Sequence, residues 1–170
     1  MDILVFPDRT VEWNGERFPC ALGPAGLTEA KREGDGATPV GCFPLRRVFY
    51  RADRVAEPAT VLPVAPLHAL DAWCDEPDDP CYNRLVRQPY AASFEPLWRA
   101  DYLYDLVVEV GFNDAPAMPG QGSAIFIHIA REDFSPTEGC VAVSQETLTR
   151  ILAECDAKSR LCVVAGEIAS

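Results

Sequence analysis

The chain has 170 residues, 48% of them hydrophobic, which is the size and composition of one globular domain with a buried core. Its formal charge of −11 is spread along the chain, which argues against binding nucleic acid or an anionic membrane surface. The seven cysteines are odd in number, the opening MDILVFPDRTVEW lacks the pattern of a secretion signal, and no stretch is long enough to span a bilayer. The expectation is a cytoplasmic protein whose thiols are mostly reduced.

In chain order, DILVFP, TVEWNGERFPCAL and FPLRRVFYR are rich in β-branched and aromatic residues and read as strands, with Asn14-Gly15 as a hairpin turn. Residues 52–101 hold about half of the fifteen prolines, mixed with aspartate, which predicts a long irregular insertion with short helices at most. Near-continuous apolar runs at YDLVVEVGFN and SAIFIHIA predict buried strands. SQETLTRILAEC predicts a helix, with Ser144 as N-cap and Thr147, Leu148, Ile151 and Leu152 at helical spacing. LCVVAGEI predicts a closing strand. The sum is a mainly β single domain over residues 1–170 with one or two short helices.

The stretch IFIHIAREDFSPTEGC is where chemistry concentrates. The paired short cysteine spacings typical of zinc sites are missing, since Cys74 and Cys81 sit apart in the proline-rich segment with His68 upstream. Neither a metal nor another cofactor is expected. Cys20, Cys42, Cys155 and Cys162 read as small buried hydrophobes. Cys140 differs: the turn-forming SPTEG leads into it, and Gly139 permits a backbone conformation that other residues resist. His128 lies in the preceding strand, where alternation puts Phe126, His128 and Ala130 on one face. On residues alone this histidine is either a base for Cys140 or a core residue satisfied by a backbone carbonyl.

Taken together, His128 followed by Thr137-Glu138-Gly139-Cys140 resembles the H-(x)n-[ST]-x-G-C signature of L,D-transpeptidase (YkuD-type) catalytic domains. GDGATPVGCFPL, from Gly34 to Leu45, resembles the G-x-x-T-P-x-G-x-F block of the same family and precedes the first motif in the family's order. The resemblance leaves the proline-rich middle as the variable part. It implies a β-sandwich-like catalytic domain and a cysteine acyl transferase acting on peptidoglycan stem peptides, whose scissile bond joins the L-centre of a diamino acid to a terminal D-alanine. Cys140 would be the nucleophile, His128 its base, and Gly139 the residue that shapes the perch and its oxyanion donors. The imidazole would both take the thiol proton and stabilise the thiolate. A carbapenem would acylate Cys140.

Two positions depart from the family's commonest pattern: Glu138 stands where a second histidine is usual, and Ala142 where a polar or basic residue follows the cysteine. Recognition of a terminal carboxylate then falls to Arg84, in YNRLV beside Tyr82 and Asn83, or to Arg131. Thr137, Glu138 and Ser123 complete the expected substrate contacts, and Tyr104-Asp105 or Asn113-Asp114 are candidates to orient His128. With no export signal read, the implied activity is an L,D-carboxypeptidase trimming recycled tetrapeptides. The alternatives are a transpeptidase that forms crosslinks or exchanges terminal D-amino acids, and an inactive domain that binds peptidoglycan fragments.

Overall fold

In the computed structural model, which describes residues 1–166, Asn14 and Gly15 both take positive φ, 51° and 78°. A two-residue turn of that kind matches the twist of a hairpin, and it joins β2 (Thr10–Trp13) to β3 (Glu16–Pro19). Along β1 (Ile3–Phe6) and β2, Ile3, Val5, Val11 and Trp13 are buried on the side that meets the main core. The short pair β4 (Leu27–Thr28) and β5 (Thr38–Pro39) leads into β6 (Gly41–Tyr50), the longest strand. β11 (Leu106–Val110), β12 (Phe126–Ile129), β13 (Val141–Val143) and β14 (Arg160–Val163) complete the main sheet. Its order is β13-β12-β11-β6-β14-β1-β2-β3, and β7 (Val64–Pro66) pairs with β6. The predicted closing strand LCVVAGEI is realised in its first part; residues 167 and 168 lie outside the described residues.

One face of this sheet carries the main core. Val48, Val108, Ile127, Ile129, Val141 and Val143 pack there against Leu148, Ile151 and Leu152 of α1 (Gln145–Glu154). The helix starts where expected: the Ser144 hydroxyl accepts from the Thr147 amide at 3.1 Å, satisfying one of the free N–H groups of the first turn.

The opposite face carries a second, smaller core, and its cover comes from the proline-rich segment. That segment is more ordered than composition predicts. β8 (Asp71–Cys74), β9 (Leu85–Arg87) and β10 (Phe94–Pro96) form a three-stranded antiparallel sheet, with no helix between residues 52 and 101. Prolines sit at the ends of β7 and β10, where no ladder donor is lost. Trp73 and Leu97 from this region pack with Phe49, Leu103, Tyr104, Val107, Phe126 and Cys140.

A second correction concerns the cysteines. Cys42 in β6 and Cys162 in β14 are direct cross-strand partners and form a disulfide, so these two are not the reduced core thiols expected. Cys20, Cys74, Cys81, Cys140 and Cys155 are free. No helix among the described residues is long and apolar enough to cross a membrane.

Candidate active site

β12 and β13 run parallel, with Ile127 opposite Val141 and His128 opposite Ala142. Side chains alternate along each strand, so Ile127, Ile129, Val141 and Val143 enter the main core while Phe126, His128, Cys140 and Ala142 point to the other face. The register therefore sends the imidazole and the thiol to the same side, where both line a cavity of about 480 Å³. The cover formed by β8–β10 supplies Asp75 and Glu95 to the same cavity.

Several backbone contacts fix the turn that carries Cys140. Gly139 has φ 137°, and a β-carbon there would come within 2.8 Å of the Ala37 carbonyl oxygen, so both the conformation and the space demand glycine. The Thr137 hydroxyl donates to the Cys140 carbonyl at 2.7 Å and accepts from the Gly139 amide at 3.1 Å. Ala142 and Ala21 exchange backbone hydrogen bonds at 2.8 and 3.0 Å, and the buried Thr38 hydroxyl accepts from the Gly23 amide. Asp35 caps the same segment, accepting from the Arg32 and Ala37 amides and pairing with Lys31. The Gly34–Leu45 block thus braces the turn that carries Cys140, which is why two motifs far apart in sequence meet in one place.

Burial dominates the electrostatics. The Cys140 thiol donates to the Ala124 carbonyl at 3.1 Å and accepts from the Phe126 amide at 3.4 Å. Desolvation, reinforced by the nearby charge of Glu95, pushes its pKa up to about 12. His128 is also buried, and desolvation lowers its pKa to about 4, against a hydrogen bond between Nδ1 and the Ile129 carbonyl at 2.9 Å. A carbonyl only accepts, so Nδ1 carries the proton and Nε2 is left unprotonated. With these shifts the resting pair is a neutral thiol and a neutral imidazole. Beside them Tyr104 presents its ring edge to His128, with centroids 5.1 Å apart, and donates its hydroxyl to Glu95. Burial raises Glu95 to about 7.

The carboxylates considered for His128 are engaged elsewhere. Asp105 pairs with Arg54 and Asp114 with Arg46, while Asn113 binds the Met118 and Gly122 backbone. The orienting partner is the backbone carbonyl of Ile129, together with the Tyr104 ring. His68 is an exposed residue that accepts from the Leu70 amide.

Of the expected substrate contacts, Ser123, Arg131, Thr137 and Glu138 line the cavity with Cys140 and His128. Ser123 donates to both oxygens of Glu33, and Arg131 and Glu138 are exposed. Arg84, expected as a carboxylate reader, does not join them: it lines a separate cavity with Arg47, Glu109 and Asp114. Tyr82 and Asn83 are buried supports. The Tyr82 hydroxyl donates to Glu33 at 2.7 Å and accepts from the Gly122 amide at 3.1 Å. Asn83 accepts from the Trp73 indole and the Ala124 amide and donates to the Phe112 and Asn113 carbonyls, at 2.9–3.0 Å. It thereby ties the covering sheet to the segment whose Ala124 carbonyl receives the thiol. Ala142 is buried against Ala21 and Ala130 and also lines the cavity.

Sequence reading missed Lys31, Asp75, Glu95 and Arg99, all of which line the cavity. Lys31 stands just before the Gly34–Leu45 block and was findable from that proximity. Asp75, Glu95 and Arg99 come from the proline-rich segment, and only the pairing of β8 with β10 brings them near Cys140.

Residues 3–164 match the YkuD family, the L,D-transpeptidase catalytic domain. No curated protein matches the chain. Among solved structures, the chain is similar to the helical cell shape determining protein Pgp2 from Campylobacter jejuni, at 15% identity and a TM-score of 0.48, covering 98% of this chain and 48% of that one. A mutant of the same protein gives 16% identity, a TM-score of 0.46, and coverage of 98% and 47%. The chain thus spans about half the length of those proteins. Since the family match runs from the first strand to just beyond the last and takes in both motifs, the chain belongs to the L,D-transpeptidase (YkuD) catalytic domain family.

Proposed function

We propose that the protein is an L,D-carboxypeptidase, a cysteine acyl-enzyme hydrolase that removes the terminal D-alanine from peptidoglycan tetrapeptides. The observation that carries the acyl-enzyme part of this reading is the common orientation of Cys140 and His128 into one cavity. As the thiol attacks the carbonyl of the diamino acid, its proton passes to Nε2 of His128. The sulfur–carbon bond forms, the bond to the D-alanine nitrogen breaks, and the imidazolium returns the proton to the leaving amine. Water, deprotonated by the same nitrogen, then attacks the thioester; the carbon–sulfur bond breaks, and the imidazolium returns that proton to the Cys140 sulfur.

Because both groups rest neutral, this transfer runs uphill unless the tetrahedral oxyanion is stabilised as it forms. The Cys140 amide, at the tip of the braced turn, is suited to donate to that oxygen. Arg131, which lines the cavity and has no ion pair among the described residues, is suited to the terminal carboxylate.

Hydrolysis is the outcome where acceptor amines are dilute, as in the cytoplasm. A specific observation favours a second reading: the Cys42–Cys162 disulfide fits an oxidising compartment, where polymeric peptidoglycan offers amines and the same acyl-enzyme would crosslink or exchange D-amino acids. Mass spectrometry of the protein with a synthetic tetrapeptide, with and without a D-amino acid, separates the two. Tripeptide as the main product in both conditions supports the carboxypeptidase, and exchanged tetrapeptide as the main product with acceptor supports the transferase. If neither product nor a Cys140 adduct forms, the fragment-binding alternative replaces both.

A further inference from the structure

The cavity around Cys140 carries more carboxylates than its chemistry uses. Glu33, Asp75, Glu95 and Glu138 line it, and none of them forms an ion pair with a cation among the described residues. The cations of the wall offset them only in part: Arg131 lines the same cavity without an ion pair among the described residues, and the other two are engaged. Lys31 is held by Asp35, and Arg99 gives both its Nε and one terminal nitrogen to Asp101 at 2.8 Å. Glu33 is itself satisfied by the Tyr82 and Ser123 hydroxyls. What remains is Asp75, Glu95 and Glu138.

Their surroundings are unfavourable to three negative charges. Asp75 Oδ1 is shielded from solvent and accepts no hydrogen bond, a condition that costs roughly 1–3 kcal/mol for a neutral acceptor and more for a charged one. Glu95 accepts from Tyr104 through Oε1, and the charges of Glu138 and Asp75 help keep its own proton on. Glu95 and Glu138 also raise the Cys140 thiol, so the charge that crowds this wall opposes the chemistry beside it. A cation seated here would relieve all three conditions. Among the described residues no group of three or more such side chains is placed to hold a metal ion, so the cation to consider is an organic one with several hydrogen-bond donors. A primary ammonium, with three N–H donors free to point in different directions, meets that requirement.

We propose that Asp75, Glu95 and Glu138 bind the side-chain ammonium of the diamino acid whose carbonyl Cys140 attacks, and that this ammonium is a specificity determinant for the site. The inference rests on the stem-peptide reading above, and it adds which group of the substrate is read and by which residues. Glu138 immediately precedes the nucleophile turn's Gly139, and Glu95 faces the same thiol from β10, so the cation lies close to the acyl centre and not at a remote part of the peptide. A substrate whose ammonium neutralises this wall also removes the negative charge that resists thiolate formation. Glu138, in place of the family's commoner histidine, then has a role of its own.

The test compares a tetrapeptide carrying lysine at the third position with one carrying Nε-acetyl-lysine. In the wild-type protein, kcat/KM for the charged peptide is expected to exceed that for the acetylated one by roughly 10- to 100-fold, the worth of a charge-assisted hydrogen bond. Asp75→Asn and Glu95→Gln should each narrow that ratio severalfold, and the double variant should bring it near unity. Calorimetric binding of both peptides to Cys140→Ala reads the same preference without turnover. Equal cleavage and equal binding of the two peptides by the parent proteins would overturn the inference while leaving the carboxypeptidase reading in place, as would a ratio unmoved by both substitutions. Absence of cleavage with preferential binding of the charged peptide would instead sink the enzymatic reading and keep the ammonium site.

Discussion

At the scale of single residues, two side chains decide whether the cavity is a reaction site. Cys140→Ala removes the proposed nucleophile and one small buried group, so turnover should fall by on the order of 10⁴-fold or more while stability changes by about 1 kcal/mol. Rates on the tetrapeptide, with a urea titration as control, check this, and near-normal rates would exclude covalent catalysis by this thiol. A carbapenem should add its mass to the parent protein and not to the variant, because its strained carbonyl presents an acyl group to Cys140.

His128 gives a prediction about pH. Burial lowers its pKa from 6.5 to about 4, so between these values the unfolded chain takes up a proton that the folded one refuses. Stability is then fully present above pH 6.5 and is lost as pH falls toward 4, by roughly 3 kcal/mol for a shift of this size. Glu95 acts in the opposite sense, since its raised pKa makes the folded state hold a proton that the unfolded chain releases as pH rises from 4.5 to 7. The two partly cancel in the parent protein. In His128→Gln the acid-side loss should disappear and stability should decline as pH rises through that range, which urea midpoints at pH 5 and 7.5 will show. An unchanged difference between the two midpoints would mean that His128 is not held neutral by burial.

At the scale of elements, the pairing of β12 with β13 orients the site and the sheet of β8, β9 and β10 encloses it. Asn83 is the joint between these two parts. It has φ 59° and makes four hydrogen bonds in a buried setting, two of them to the Trp73 indole and the Ala124 amide. Asn83→Ala leaves those groups without partners, so a destabilisation of roughly 3 kcal/mol or more is expected. The loss should extend to activity, because Ala124 is the residue whose carbonyl holds the thiol. Thermal unfolding and tetrapeptide turnover measured on the same preparation check it, and a variant of parental stability would show that the joint is dispensable. The NG hairpin, the Ser144 cap and the apolar strands were legible because each is written within a few neighbouring residues. The covering sheet was not, because β8, β9 and β10 are short, proline-bounded and stabilised by partners distant in sequence.

At the scale of the whole molecule, the Cys42–Cys162 bridge links β6 to β14 across 120 positions of sequence. Closing so long a loop restricts the unfolded chain, so reduction should lower stability by roughly 2–4 kcal/mol. Denatured protein should expose five reactive thiols without reductant and seven with it, read by alkylation and mass spectrometry. Seven in both conditions would return the protein to the reduced state that its cysteine count suggested, and would remove the support for an oxidising compartment.

What the sequence by itself determined is local or carried by motif: strand and helix periodicity, the glycine that lets the chain turn before Cys140, and the placing of His128 on the strand face it shares with Phe126 and Ala130. Tertiary structure decided the rest. Nothing in the sequence tells whether Arg84, Tyr82 and Asn83 reach Cys140, and the fold gives Arg84 to another cavity and makes the other two supports. Glu95 and Asp75 look like ordinary residues of a loop, yet strand pairing brings them to the thiol. The physical reason is that periodicity records which side of an element is buried, whereas a charge's effect on a thiol depends on distances and on the exclusion of water, and both exist only once the two faces of the sheet are covered.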